Sequence, residues 1–297
     1  MDDLDPRISR HEPASLNKPI LIAAFRGWND AGDAATFAAA HLARVWSADR
    51  LAEIDPEDFY DFQAVRPQVE LVDGHTRKIT WPSNDFSAAR LDGSPHDVLI
   101  LVGTEPSTRW RTFTELIVDM ATRHEVELVI TLGALLADVP HSRPVQITGT
   151  AADEDLIERL GLIRSRYEGP TGIVGVLHDA LARAGIGSAS LWAAVPHYLA
   201  VTPNPKAALA LVDKAVELIE APADIGELQR ATLVYEERVS EIVSTDEDVQ
   251  SYVRLLEERS DEREREEFET EDLPSGEALA QELERFLRDT TRGDEAG

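Results

Sequence analysis

The sequence predicts an α/β domain built as a three-layer sandwich and followed by a helical extension. Three observations predict it. Short apolar runs, each long enough for one buried strand, recur along residues 19–221. Amphipathic stretches with helical spacing lie between them. Beyond Ala221-Pro222-Ala223 no strand pattern appears, and apolar positions recur only at helical intervals. The expected organisation is a polar arm over residues 1–18, an α/β core over 19–221, a helical hairpin over 222–260, and an acidic linker, short helix and tail over 261–297.

The elements follow in order. Residues 1–17 are polar and read as a loose arm. Ile20 to Phe25 forms a strand, and Ala34, Ala38, Leu42 and Val45 line one face of the next helix. Strand-like segments recur at Arg50 to Ile54, Val69 to Val72 and Arg77 to Trp81, with Pro67 and Pro82 limiting their pairing. Asp97 to Gly103 is a continuous apolar run of the kind buried on both faces of a parallel sheet. A helix through Phe113, Leu116, Ile117 and Met120 follows it, then strands at Glu127 to Leu132 and Val145 to Gly149. Helices are expected at Asp153 to Leu160 and Val174 to Ala184, the second closed by Gly185, and a last strand at Ala189 to Val195. Asn204-Pro205 is a helix start, an N-cap with proline at N1, for the stripe Ala208, Leu211, Val212, Ala215 and Leu218. In the extension, Leu228, Ala231, Tyr235, Val239 and Ile242 form one helical face and Val249, Tyr252, Val253 and Leu256 another, with Ser244-Thr245-Asp246 as the turn. Residues 261–272 hold eight acidic residues and two arginines, a solvated spacer, and Leu279, Leu283, Phe286 and Leu287 mark a last amphipathic piece.

Composition excludes several classes of function. Hydrophobic content of 43% over 297 residues supplies a sizeable core. The formal net charge of −27 repels phosphate backbones and anionic lipid, so neither nucleic acid nor membrane is an expected partner. With no cysteine, disulfides and thiolate metal sites are ruled out. The acidic start Met1-Asp2-Asp3-Leu4-Asp5 lacks the form of a signal peptide, and no apolar run spans a bilayer, which together read as a cytoplasmic protein.

Five loops gather polar residues where strands end, the edge at which α/β folds place their sites. The first carries Trp28, Asn29 and Asp30, with Asp30 or Asp33 read as a helix cap. The second presents Glu105 at the start of a helix. The third gathers Asp138, His141 and Arg143 within six positions, either an acid-base set for an anionic substrate or a structural Asp138–Arg143 pair bracing a proline-rich loop. The fourth, Tyr167-Glu168-Gly169-Pro170-Thr171-Gly172-Ile173, has two glycines that allow close backbone approach but lacks the ending of a P-loop. The fifth places His197 and Tyr198 after the last core strand. The eight histidines show no metal-binding spacing, and no cofactor or metal is expected.

Phe25-Arg26-Gly27-Trp28-Asn29-Asp30-Ala31-Gly32, Trp81-Pro82, Gly103-Thr104-Glu105-Pro106, the segment from Leu132 to Pro144, Tyr167 to Ile173 and Pro196-His197-Tyr198 occur together and in order. In that combination the chain resembles the bacterial branch of the proteasome assembly chaperone two family over about residues 19–220. The resemblance implies a sandwich of phosphorylase/peptidase-like type, self-assembly into rings or smaller homo-oligomers, and no established enzymatic activity. It also implies a proteasome-related partner, bound in the eukaryotic and archaeal relatives through a hydrophobic-tyrosine-any tail. This chain ends Arg292-Gly293-Asp294-Glu295-Ala296-Gly297, so contact is expected from the folded surface and not from the tail. The leading expectation is a non-enzymatic assembly or scaffolding protein. The alternatives are a small-molecule hydrolase or phosphorylase-like enzyme, or a metabolite sensor, using the loops at the carboxyl edge.

Overall fold

Ile20–Arg26 (β2) carries a side chain to each face of the sheet in turn, and this alternation organises the molecule. Ile20, Ile22 and Ala24 enter one apolar cluster, and Leu21, Ala23 and Phe25 enter the other. The computed structural model describes residues 5–10, 15–164, 167–199 and 201–271. Strand β2 lies between Val98–Thr104 (β7) and Leu128–Ala137 (β8), parallel to both, and Gly187–Pro196 (β11) continues the parallel set beside β8. Both faces of this quartet are covered, which explains its unbroken apolar runs. Ala34–Val45 (α1), Glu154–Leu160 (α3) and Pro205–Ile219 (α5) lie over the first cluster, and Trp110–Arg123 (α2) and Ile173–Arg183 (α4) over the second. The result is the expected three-layer α/β sandwich.

Further strands extend the quartet on both sides, each paired antiparallel to its inner neighbour except the last one beyond β11, which is parallel to the strand inside it. Asn84–Ala89 (β6), Asp49–Ile54 (β3) and Ile8–Arg10 (β1) follow β7 outward, while Ile147–Ala151 (β9) and Ile163–Arg164 (β10) follow β11, giving a nine-stranded sheet. The segment expected as a loose arm thus contributes an edge strand, because Ile8 reaches the core. Strand β6 is absent from the sequence expectation, since Asn84-Asp85-Phe86-Ser87-Ala88-Ala89 lacks β-branched residues; pairing on both sides overrides that weak propensity. Gln68–Val72 (β4) and Thr76–Thr80 (β5) do pair, but with each other as a separate exposed hairpin.

The extension is a pair of helices, Gly226–Ser244 (α6) and Glu247–Glu271 (α7). Its link to the core is fixed on α1: Trp46 Nε1 donates to the Pro222 carbonyl at 2.9 Å, and Arg44 meets Glu227 at 2.6 Å. Helix α7 runs on through residues 261–271, the acidic stretch read from the sequence as a solvated spacer. The amphipathic piece around Leu279, Leu283, Phe286 and Leu287 lies outside the described residues. No helix among the described residues is long and apolar enough to cross a membrane.

Candidate functional site at the carboxyl edge

The four parallel strands end at one edge, and the loops that leave them hold the sequence-predicted residues. Those residues form two groups. The first centres on Glu105, just past β7. Its Oε1 accepts from the Ile173 N–H at 2.8 Å and from Asn29 Nδ2 at 3.3 Å, while Oε2 accepts from the Trp28 N–H at 3.4 Å. Ile173 opens α4, so a carboxylate sits where the helix presents its unsatisfied N–H groups and the positive end of its dipole. Gly172 makes the approach possible: a Cβ there would stand 2.4 Å from Asn29 Nδ2 and 2.9 Å from Glu105 Oε1.

Asp30 belongs to the same loop but serves the other face. Its Oδ1 accepts from the Ala35 N–H at 2.6 Å, and both oxygens lie within reach of the Thr36 N–H. This is the expected capping role, performed five residues ahead of the donor across the turn Ala31–Asp33. Burial raises its pKa against these bonds, which hold the charged form. Ala134 N–H donates to the Asn29 carbonyl at 2.8 Å, tying the loop to β8. The strand runs on to Ala137, past the Leu132 expected as its end, because β11 pairs with it in unbroken register as far as Pro196 beside Ala137. Trp28 is 65% exposed and Tyr167 68%, and Glu168 and Thr171 are exposed beside them in sequence. Tyr167 O–H donates to the Pro170 carbonyl at 2.9 Å, closing its own turn.

The second group joins the loops after β8 and β11 to the helical extension. The His141 N–H donates to the Tyr198 hydroxyl oxygen at 2.8 Å, and the ring Nδ1 lies 2.9 Å from the same oxygen. Lys206 Nζ donates to the His141 carbonyl at 2.6 Å and meets Glu236 of α6 at 2.7 Å. Burial, helped by the Lys206 charge, lowers the His141 pKa, and burial pushes the Tyr198 hydroxyl up to about 12. Arg143 makes a two-pronged contact with Asp261 of α7, 2.7 and 2.9 Å, and lies 3.6 Å from Glu257. Ser142 donates to Glu257 as well. Asp138 lies 3.2 Å from His197 Nδ1 and accepts from Tyr252 O–H at 3.4 Å. The rings of His197, Tyr198 and Tyr252 meet edge to face, with centroids 5.6 to 6.1 Å apart.

The expected brace between Asp138 and Arg143 is thus replaced by two contacts to α7. The sequence reading missed Tyr252, Glu257, Asp261, Lys206 and Glu236, since nothing in the spacing of a charged helix says which turn will meet a distant loop. It also missed the buried pair beside Glu105, where Tyr60 O–H donates to the Thr104 carbonyl at 2.5 Å and Asn84 bonds both Tyr60 and the Thr104 N–H. Glu105 is occupied by three N–H donors, and the cavity lined by His141, Arg143, Asn204, Lys206 and Tyr235 measures about 10 Å³, room for at most one water molecule.

Comparison with known proteins finds relatives of this chain among solved structures. The solved PAC2 family protein from Streptomyces avermitilis is 47% identical, with a TM-score of 0.73, and the match covers 79% of this chain and 99% of that one. A Mycobacterium tuberculosis proteasome-assembly chaperone homologue is 43% identical, TM-score 0.72, with the same coverage. The Pyrococcus furiosus archaeal proteasome activator PbaB, 20% identical with a TM-score of 0.65 over 79% of this chain and 97% of its own, shares the fold. A search of curated proteins found no match. The PAC2 family model matches residues 24–243, a span that takes in the Glu105 group, the loops of the second group and nearly all of α6 but not the α7 partners of those loops, and the chain belongs to the PAC2 family.

Proposed function

We propose that this protein is a non-enzymatic assembly-chaperone-like or scaffolding protein, a homo-oligomer in the cytoplasm that contacts a proteasome-related partner through its folded surface. The observation that carries this reading is the carboxyl edge itself. Its polar groups bind backbone and helices of the same chain, while large apolar side chains project outward at Trp28, Leu135 and Leu136, the last 60% exposed. Exposed aromatic and aliphatic side chains on a rigid rim suit protein contact. The relationship to a proteasome-assembly chaperone homologue supports the choice of partner.

The test is capture of purified proteasome α-subunits by three forms: the full chain, the deletion of residues 289–297, and the double variant Trp28→Ala/Leu136→Ser. Full chain and deletion are expected to capture equally, and the rim variant at least about tenfold less, the effect of losing ~1.4 kcal/mol. Capture abolished by the tail deletion alone, or by none of these changes, overturns the assignment to the rim. A metabolite that raises the thermal midpoint of the purified protein favours the sensor or enzyme alternative instead.

A further inference from the structure

The amino edge of the sheet, opposite the loops that hold Glu105 and His141, carries a cleft of about 720 Å³. It opens where β2 and β8 begin, between the C-terminal ends of α3 and α5, and has the size of a small-molecule site. Its apolar lining is aliphatic: Ile20 and Leu128 are buried at the strand starts, and Leu160 and Leu218 stand half-buried on the helices. Partners sort its charges. Lys214 meets Glu217 at 2.9 Å, and Glu127 lies 3.5 Å from Lys18 Nζ, so these groups offset one another. Arg159 and Glu220 line the same cleft, and among the described residues neither side chain has a hydrogen bond or ion pair. The backbone adds acceptors beside them. Helices α3 and α5 both bring their partly negative C-terminal ends here, and Pro222, four residues on from Leu218, has no N–H to give the Leu218 carbonyl. His96 Nδ1 lies 3.0 Å from the Lys18 carbonyl, which can only accept, so Nδ1 holds the proton and Nε2 is left as an acceptor.

We propose that this cleft binds a short peptide with free termini and aliphatic side chains. Arg159 holds the terminal carboxylate with its guanidinium fork, Glu220 and the Leu218 carbonyl hold the terminal ammonium, and the aliphatic lining receives the side chains. Charge selects this class of ligand. A polyanion would meet Glu127, Glu217, Glu220 and two helix C-termini, whereas a ligand with cationic groups alone would leave the Arg159 guanidinium unpaired and repelled. A zwitterion answers both unpaired groups at once. The ligand-binding alternatives to scaffolding use the carboxyl edge; this site lies at the other end of the parallel strands from Trp28 and Leu136, so it goes beyond the scaffolding reading and leaves the rim free.

Isothermal titration calorimetry of the full chain with trileucine, carried to about 5 mM so that weak binding registers, tests the proposal. A single molecule is expected to bind per chain. N-acetyl-trileucine, which lacks the ammonium, and trileucine amide, which lacks the carboxylate, are each expected to bind at least about tenfold more weakly. Arg159→Ala is expected to weaken trileucine by a similar factor and to bind the free acid and the amide alike, and Glu220→Gln to bind the free amine and the N-acetyl form alike. Both side chains are exposed and unpartnered, so urea unfolding of either variant is expected to match that of the full chain. Absence of trileucine binding, equal binding of free and capped peptides by the full chain, or binding that either variant leaves unchanged overturns the proposal. None of these outcomes bears on the rim: Trp28→Ala/Leu136→Ser is expected to bind trileucine as the full chain does, and loss of binding in that variant overturns the placement at the amino edge.

Discussion

The two groups at the carboxyl edge use the same residue types for different ends. Around Glu105, one carboxylate collects N–H groups from the loop after β2 and from the start of α4, all within the core. Around His141, carboxylates, phenols and cations bridge outward from the loops after β8 and β11 to α6 and α7. The first group is part of how the sandwich folds; the second is how an appendage is held to a finished sandwich. Polar density at a strand end is therefore no sign of chemistry until the partners of each group are known.

The largest expected effect falls on the core group. Glu105→Ala removes the acceptor for three N–H donors at once and is expected to cost about 3 kcal/mol of global stability, read by urea unfolding. A loss below about 0.5 kcal/mol would show that water replaces the carboxylate and that the group is not integral to folding. Gly172→Ala comes next, at about 2 kcal/mol, because its Cβ needs the space of the Asn29 amide. Tyr198→Phe tests the other side of the comparison. It removes the hydroxyl that serves His141 and is expected to cost about 1 kcal/mol, with faster hydrogen exchange confined to α6 and α7. Exchange that rises equally in the core would erase the distinction between the two groups. Smallest is Tyr235→Phe, since its hydroxyl is buried without a hydrogen bond; stability is expected to hold or rise slightly.

A pH titration sharpens the contrast further. His178, between Thr131 and Ser188, has its pKa pulled down to about 4 by burial. The unfolded chain then takes up this proton first, so stability falls as pH drops from about 6.5 toward 4, by up to ~1.4 kcal/mol per pH unit. His178→Gln is expected to flatten that limb of the stability curve, whereas removing the extension after Ala221 is expected to leave both a folded core and the limb intact. Aggregation of the truncated form would show that Leu228, buried against α5 and its neighbours, covers surface the core needs.

Much of this architecture was legible in the sequence because the parallel quartet is buried on both faces, which leaves runs such as Val98 to Val102 without polar interruption. Helix ends were legible for local reasons: Asn204 accepts from the Ala207 N–H, and Gly185 follows α4 at a positive φ. What escaped was decided at a distance. Ile8–Arg10 and β6 owe their existence to neighbouring strands, and the reach of β8 to Ala137 follows its pairing with β11. For the site, close approach at Gly172 was anticipated, but the engagement of Arg143 with Asp261, 118 positions away, has no local signature.

The placement of β2 has a consequence for how the chain reaches this structure. The first strand of the core sits at the centre of the sheet, yet its two neighbours begin at Val98 and Leu128. A chain emerging from the ribosome therefore presents Ile20 to Phe25 with both edges open until Val98–Thr104 exists, and with one edge still open until the strand that begins at Leu128 follows. Helix α1 can cover one face of that strand early, but nothing local can close its edges. Parallel pairings of such long separation make folding slow, and the exposed apolar strand is prone to intermolecular association in the interval. A protein proposed to help others assemble is itself built so that its own synthesis calls for protection.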